Sequence, residues 1–285
     1  MRVSAGKGDN MSVEYAVHET LIKINNISLS LGGNQIIREL TAEIKNIVRP
    51  GYTQGQVVGF LAPSGMGKTQ LLKIMAGLQK NPYSGNVLIT EKSIPVCPGM
   101  VGLVTQNYLL FENYTVLKNL TVAAAQKGCE NGVTSKKAFE MLERFGLTDK
   151  AKLYPAQLSG GQRQRVAIAQ QLLCSEHFLL MDEPFSGLDP MMKDNVCALI
   201  SEVASSDELN TIIVVSHDIS ATASISDTLW LMGRDKDSAG NKIPGANIQK
   251  VYDLASMGLA WDKDIQLTPQ FADFIREIKE NFRSL

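Results

Sequence analysis

The stretch 57–78 constrains the chain's topology more than any other. Residues 57–61, Val-Val-Gly-Phe-Leu, form a short apolar run with the length of a buried strand. A glycine-rich turn follows, and then Leu71, Ile74, Met75 and Leu78 recur at i, i+3, i+4 and i+7, the spacing of one helix face. Strand, turn and helix in that order form half of a βαβ unit. Two more short apolar runs, 178–181 and 212–215, each stand next to helical patterns at 162–173 and 191–205. Strands alternating with helices predict a parallel sheet in an α/β fold. No apolar run approaches the roughly 20 residues of a membrane span.

The flanks read differently. Residues 1–20 are polar, an expected frayed lead-in without the apolar core of a secretory signal. Between Leu21 and Ile47 a weak alternation, broken by Gly32, Gly33 and Asn34, predicts short strands around turns, and 82–106 predicts another strand pair. Residues 113–160 carry helical patterns with no strong strand, which predicts an inserted helical subdomain. The net charge is −1 and the isoelectric point about 6.3, so nothing global attracts the chain to nucleic acid. Cys97, Cys129, Cys174 and Cys197 lie far apart, which suggests neither a zinc site nor a disulfide framework, but reduced buried thiols.

Four motifs carry chemistry. Ala62-Pro63-Ser64-Gly65-Met66-Gly67-Lys68-Thr69 matches the P-loop pattern G-x-x-x-x-G-K-[ST] except at its first glycine. In such a loop, backbone N–H groups at a helix N-terminus hold phosphate, the lysine reaches the outer phosphates and the hydroxyl binds Mg²⁺. The plain alternative is a glycine-rich structural turn. The run 178–181 ends in Asp182 and Glu183, at the strand end where open α/β sheets bind ligands; alone, it would equally be an exposed acidic strand end. Leu158-Ser159-Gly160-Gly161-Gln162 opens a helix, with Ser159 as N-cap or as part of a second phosphate surface. His217 follows the run 211–216; by itself a lone histidine there is structural, and His18 and His177 have no such context.

In this order the motifs resemble the ATP-binding cassette (ABC) family of ATPases, from about Leu21 to Gly233. The Walker A loop is 62–69, the Q-loop glutamine is Gln106, the signature is 158–162, Walker B is 178–183, the D-loop is 186–189 and the switch histidine is His217. The resemblance implies a P-loop NTPase (RecA-like) core sheet with an N-terminal antiparallel β subdomain and an inserted helical signature subdomain at about 107–165. It implies that ATP lies between two cassettes set head to tail. Ser64, Gly65, Met66, Gly67, Lys68, Thr69 and Gln70 would bind the nucleotide. Thr69, Gln106 and Asp182 would arrange Mg²⁺, Glu183 would be the general base, and His217 would contact the γ-phosphate. Ser159, Gly160, Gly161 and Gln162 would complete the partner's site, and Asp189 would link the two sites.

Three positions depart from the family pattern. Ala62 replaces the first loop glycine, which is tolerable if its φ is negative. Gln70 replaces a hydroxyl, and Leu31 stands where an aromatic ring usually stacks on adenine, leaving Tyr15 and Tyr52 as candidates for that contact. The family resemblance implies partners too: a second cassette, separate transmembrane permease subunits met by the segment Asn107-Tyr108-Leu109-Leu110-Phe111, and a substrate-binding protein, with no nucleic acid. The expected role is a bacterial solute importer's cassette on the cytoplasmic face of the inner membrane. The alternatives are a lipid-trafficking cassette, or a non-transport ATPase of the assembly or cell-division type. Residues 234–285 form an extension. In it Thr268-Pro269 starts a helix whose Phe271, Phe274, Ile275, Ile278 and Phe282 share one face, either against the chain's own core or against a partner.

Overall fold

The computed structural model describes residues 2–3, 15–49, 54–89, 94–126, 131–175, 177–207 and 209–285. Tyr52 and Cys129 lie outside them. In chain order the elements are β1 (Arg2–Val3), β2 (Tyr15–Leu31), β3 (Asn34–Val48), β4 (Gln56–Leu61), α1 (Lys68–Met75), β5 (Tyr83–Ile89), β6 (Ile94–Pro95) and β7 (Gly102–Val104). Then come α2 (Val116–Ala125), α3 (Asn131–Arg144), α4 (Gly160–Cys174), β8 (Phe178–Asp182), α5 (Pro190–Ala204) and β9 (Thr211–Ser216). The chain finishes with α6 (Ile219–Ile225), β10 (Thr228–Lys236), β11 (Lys242–Asp253) and α7 (Pro269–Ser284).

One sheet runs in the order β6-β5-β2-β3-β11-β10-β4-β9-β8-β7, with β1 beside β2. The strands β10, β4, β9, β8 and β7 are parallel to one another, and β6, β5, β2 and β3 are antiparallel. Every residue of β4, β8 and β9 is buried. A parallel strand covered on both faces must be apolar throughout, which is why these runs lack polar alternation. The two faces still separate with period two. Val57, Leu179, Met181, Ile212 and Val214 face the cluster built with α4, α5 and the helical insert. Val58, Phe60, Leu180, Ile213 and Val215 face α1 and the antiparallel strands.

The β strands at the two ends of the chain differ from expectation. The lead-in does not extend to residue 20, because β2 begins at Tyr15 and Arg2–Val3 pairs with it. The cause is distant in sequence: the Tyr15 hydroxyl donates to Asp253 Oδ2 at 2.9 Å, and its ring meets Trp261 edge-on at 5.9 Å. Instead of several short strands, β2 and β3 make one long hairpin turned by Gly32 and Gly33 at φ +55° and +80°. The expected boundary at 233/234 falls inside β10, and β11 joins β10 to β3. The extension therefore contributes a strand to the main sheet. Of the three described cysteines only Cys197 is buried; Cys97 is exposed and Cys174 intermediate.

The helix α7 lies on its own chain. Phe271, Phe274, Ile275 and Ile278 are buried with Leu61, Leu229, Leu231, Tyr252 and Leu254 in a third apolar cluster. Thr268 caps the helix, accepting from the Phe271 N–H at 3.2 Å.

Candidate nucleotide site

The carboxyl ends of β4, β8 and β9 lie side by side, with Asp182 opposite Val215 and Leu61 opposite Ser216. The chain leaves β4 through the loop 62–67, leaves β8 at Glu183 and leaves β9 at His217. Parallel register thus delivers three separated motifs to one edge.

The loop fits its glycines. Gly65 and Gly67 have φ +81° and +82°, and a Cβ at Gly67 would stand 2.6 Å from Ile36 Cγ2. Ala62 is buried and is not among the positive-φ residues, so its methyl costs no backbone strain. Gly67 caps α1 with no side-chain hydrogen bond, and a helix N-terminus without a side-chain cap keeps backbone N–H donors for an anion. Ser64 and Gly65 are exposed and Met66 is half-buried on this loop. Gln70 turns aside and accepts from Gln79 Nε2 at 2.9 Å.

Behind the loop lies a connected polar cluster. Lys68 Nζ is 2.7 Å from Glu183 Oε1 and donates to the Ala62 carbonyl at 2.9 Å. Glu183 Oε2 faces His217 Nδ1 at 2.7 Å and accepts from the Ser216 hydroxyl at 3.2 Å and the His217 N–H at 3.3 Å. Thr69 Oγ1 donates to Asp182 Oδ2 at 3.0 Å. Burial alone would raise the Glu183 carboxyl, but the Lys68 ammonium, aided by His217, holds it below the ordinary carboxylate range. Asp182 moves the other way: burial, helped by the Glu183 charge, raises it against the pull of Thr69 and Lys68.

The remaining expected residues sit elsewhere. Gln106 Nε2 donates to Ser186 Oγ at 3.0 Å, beside the Glu183 turn, and is not bonded to Thr69 or Asp182. Ser159 and Gln162 make a reciprocal capping box at the start of α4: the Gln162 N–H donates to Ser159 Oγ at 3.4 Å and the Ser159 N–H to Gln162 Oε1 at 3.0 Å. Gly160 and Gly161 form the first turn, and among the described residues no hydrogen bond or ion pair joins 159–162 to the loop 62–69. Asp189 caps α5, accepting from the Met192 N–H at 2.9 Å. Two further residues brace the Glu183 turn: Tyr108, expected from the sequence only as part of the segment met by the permease, and Gln164, which the sequence reading missed, both donate to the Pro184 carbonyl, at 3.4 and 3.5 Å. Gln164 could have been noticed as a polar residue on a helix turn otherwise given to the core.

The family model described as ABC transporter matches residues 48–186. The glutamate/aspartate import ATP-binding protein GltL of Escherichia coli strain K12 is 32% identical over 223 residues, which is 76% of this chain and 88% of that protein. The chain belongs to the ABC transporter ATP-binding family. Members of this family are ATPases. The sulfate/thiosulfate import ATP-binding protein CysA of Mesostigma viride is 36% identical over 211 residues, 73% of this cassette. The cassette spans only 58% of that relative's length. The structure of cbiO1 from Clostridium perfringens, described as part of the ABC transporter complex cbiONQ, has a TM-score of 0.69. It covers 92% of this chain and 100% of its own at 22% identity, which shows the shared P-loop NTPase fold.

In this cassette Leu31, Ile36 and Met66 are partly buried against the same apolar cluster, and none of the three offers an aromatic face. Tyr15 is no adenine partner: it stands at the opposite end of β2 from Leu31, committed to Asp253 and Trp261. Asp182 Oδ1 is buried without a hydrogen-bond partner, next to the Thr69 hydroxyl. Such hard oxygen donors, completed by phosphate oxygens, fit Mg²⁺. No helix among the described residues is long and apolar enough to cross a membrane.

Proposed function

We propose that the chain binds and hydrolyses ATP to drive a transporter whose membrane-spanning domains are separate polypeptides, a solute importer by the names of its relatives. The observation that carries this reading is the Glu183 carboxylate, seated between Lys68 and His217 beside the Thr69–Asp182 pair. Phosphoryl transfer from ATP asks little covalent chemistry of a protein; it asks for positioning and charge neutralisation. The α1 amides and Lys68 bind the phosphates. Thr69 and Asp182 would hold Mg²⁺, which would neutralise charge on the outer phosphates. Lys68 carries a single positive charge, for which a triphosphate competes with Glu183. Phosphate oxygens draw the ammonium away, and Glu183, losing its main cationic neighbour, gains proton affinity just when it must accept a proton from water. His217 orients the carboxylate and meets the γ-phosphate. Ser159, Gly160, Gly161 and Gln162 act on a second cassette's nucleotide, and Asp189 faces that cassette.

The partner surface follows from exposure. Leu109 is 70% exposed and Phe111 50% exposed, whereas Leu110 packs on the helical cluster. Behind Leu109 lies a cleft of ≈ 920 Å³ lined by Leu78, Met100, Leu103 and Gln126 among others. A buried Asn119 fixes the segment, donating to the carbonyls of Phe111, Tyr114 and Thr115 and accepting from the Phe111 N–H. This exposed apolar segment on a rigid base is the proposed seat of the permease subunit. The relatives' names cover both sulfate and amino acids, so they single out no substrate for this cassette.

The test is steady-state phosphate release from Mg-ATP by the chain and by Glu183→Gln. The expected result is turnover in the parent and a loss of about a hundredfold or more in the variant, with ATP binding retained. Equal rates in both would remove Glu183 as the base.

A further inference from the structure

The starts of α5 and α6 are tied together by a side-chain pair that the roles above leave unused. Lys193 lies one turn into α5, its N–H bonded to the carbonyl of the cap Asp189 at 3.0 Å. Its Nζ reaches Asp218 Oδ2 at 2.6 Å, and the two side chains are only 32% and 21% exposed. Asp218 directly follows His217. Its other oxygen caps α6, accepting from the Ala221 N–H at 3.0 Å, and its own N–H donates to Ser216 Oγ at 3.0 Å. That same hydroxyl donates to Glu183 Oε2 at 3.2 Å.

Capping α6 needs only one carboxylate oxygen. The second is spent on a lysine from a different helix. The two groups are withdrawn from water far enough that the pair must be compensated by good geometry, and the contact is short and charge-assisted. Burial would raise the Asp218 carboxyl, yet Lys193 and the Ala221 N–H hold it below the ordinary range, so it stays an anion. Under the pair, Cys197 on α5 packs on α6, its Sγ 3.7 Å from the Ala221 carbonyl. The turn Ser216-His217-Asp218 is thus fixed at one end by β9 and at the other by Lys193.

We propose that Lys193 is a positioning residue for ATP hydrolysis. Through Asp218 it sets where Ser216 and His217 hold the Glu183 carboxylate, and it ties that turn to the D-loop end of α5. This inference rests on the reading of Glu183 as the base. Lys193→Met keeps the aliphatic stem and removes the charge, and Asp218→Asn keeps an oxygen for the α6 cap. Each is expected to lower kcat for Mg-ATP about tenfold, the size of one charge-assisted hydrogen bond. KM for ATP should stay within about twofold, since neither group binds the nucleotide. The thermal midpoint should stay near the parent's, and Lys193→Arg should recover most of the rate. The double variant should be no slower than the slower single one, because both remove the same contact. A parent-like kcat in Lys193→Met overturns the proposal. So does a slow variant that also melts early and is not rescued by arginine, which would make the pair a fold contact only. A parent chain without ATP turnover, or a Glu183→Gln variant at the parent rate, would instead overturn the reading beneath it.

Discussion

Glu183 occupies φ +52°, a left-handed conformation that costs a non-glycine residue about 1–3 kcal/mol. Its N–H donates to the Val215 carbonyl at 2.8 Å, and its carboxylate is gripped by Lys68, Ser216 and His217. Strain kept in place by that many partners marks a side chain whose direction matters. Other single residues give predictions of their own. Leu31 offers the base apolar contact without a π face, so ATP and GTP should compete for the site within a few fold, and Leu31→Tyr should tighten both by about 1 kcal/mol of added stacking, since every base has a π face. Competition binding with both nucleotides measures this; a strong ATP preference in the parent would refute it. Asp227 is fully buried, and its carboxyl is pushed up to about 7, chiefly by burial, against the opposing 2.6 Å bond from the Val57 N–H. A raised folded value means its contribution to stability is complete below its unfolded pKa of about 4 and fades as the pH climbs through 7. Asp227→Asn keeps the acceptor for Val57 and cannot ionise. Urea midpoints at pH 5 and 8 should therefore show the parent losing ground to the variant by a few kcal/mol at pH 8. An identical pH response in both chains would contradict the assignment.

At the scale of elements, legibility followed sequence distance. The loop 62–69, the helix cap at Ser159 and the strand end at Asp182 are local patterns, and each was readable because its geometry is set by neighbours in the chain. The start of β2 was not, because Tyr15 is fixed by Asp253, 238 positions away. Nor was β11, whose Pro244 and Gly245 argue against a strand. Gly245 has φ +89°, and a Cβ there would come 2.7 Å from the Arg38 and Gln35 side chains of β3; it marks a close approach, not a break. The apolar face of α7 was legible from spacing, but its occupant was not. The structure gives it to the chain's own β10–β11 hairpin and α6. Phe274 meets Tyr252 edge-on at 5.3 Å, and Glu277 takes Lys250 and the Tyr252 hydroxyl at 3.0 and 3.1 Å. Phe274→Ala should cost about 3–5 kcal/mol by chemical denaturation. A loss under 1 kcal/mol would show that α7 is not integral to the fold.

Across the whole molecule, one sheet carries the antiparallel strands, the parallel core and the extension, so the phosphate loop, Glu183 and His217 are braced by a single framework. The signature turn lies at the start of α4, where Ser159 caps the helix, and among the described residues no hydrogen bond or ion pair joins 159–162 to the loop 62–69. We propose that a turn so placed acts across an interface between two cassettes. Because the apolar face of α7 is already buried in its own chain, the proposed interface is expected to be closed by nucleotide and not by the tail. Sedimentation of Glu183→Gln tests this most directly. The account predicts monomer without nucleotide, dimer with Mg-ATP, monomer again with ADP, and no dimer when Ser159→Arg is added although ATP still binds. A stable dimer in the absence of nucleotide, or no dimer with Mg-ATP bound, would contradict it.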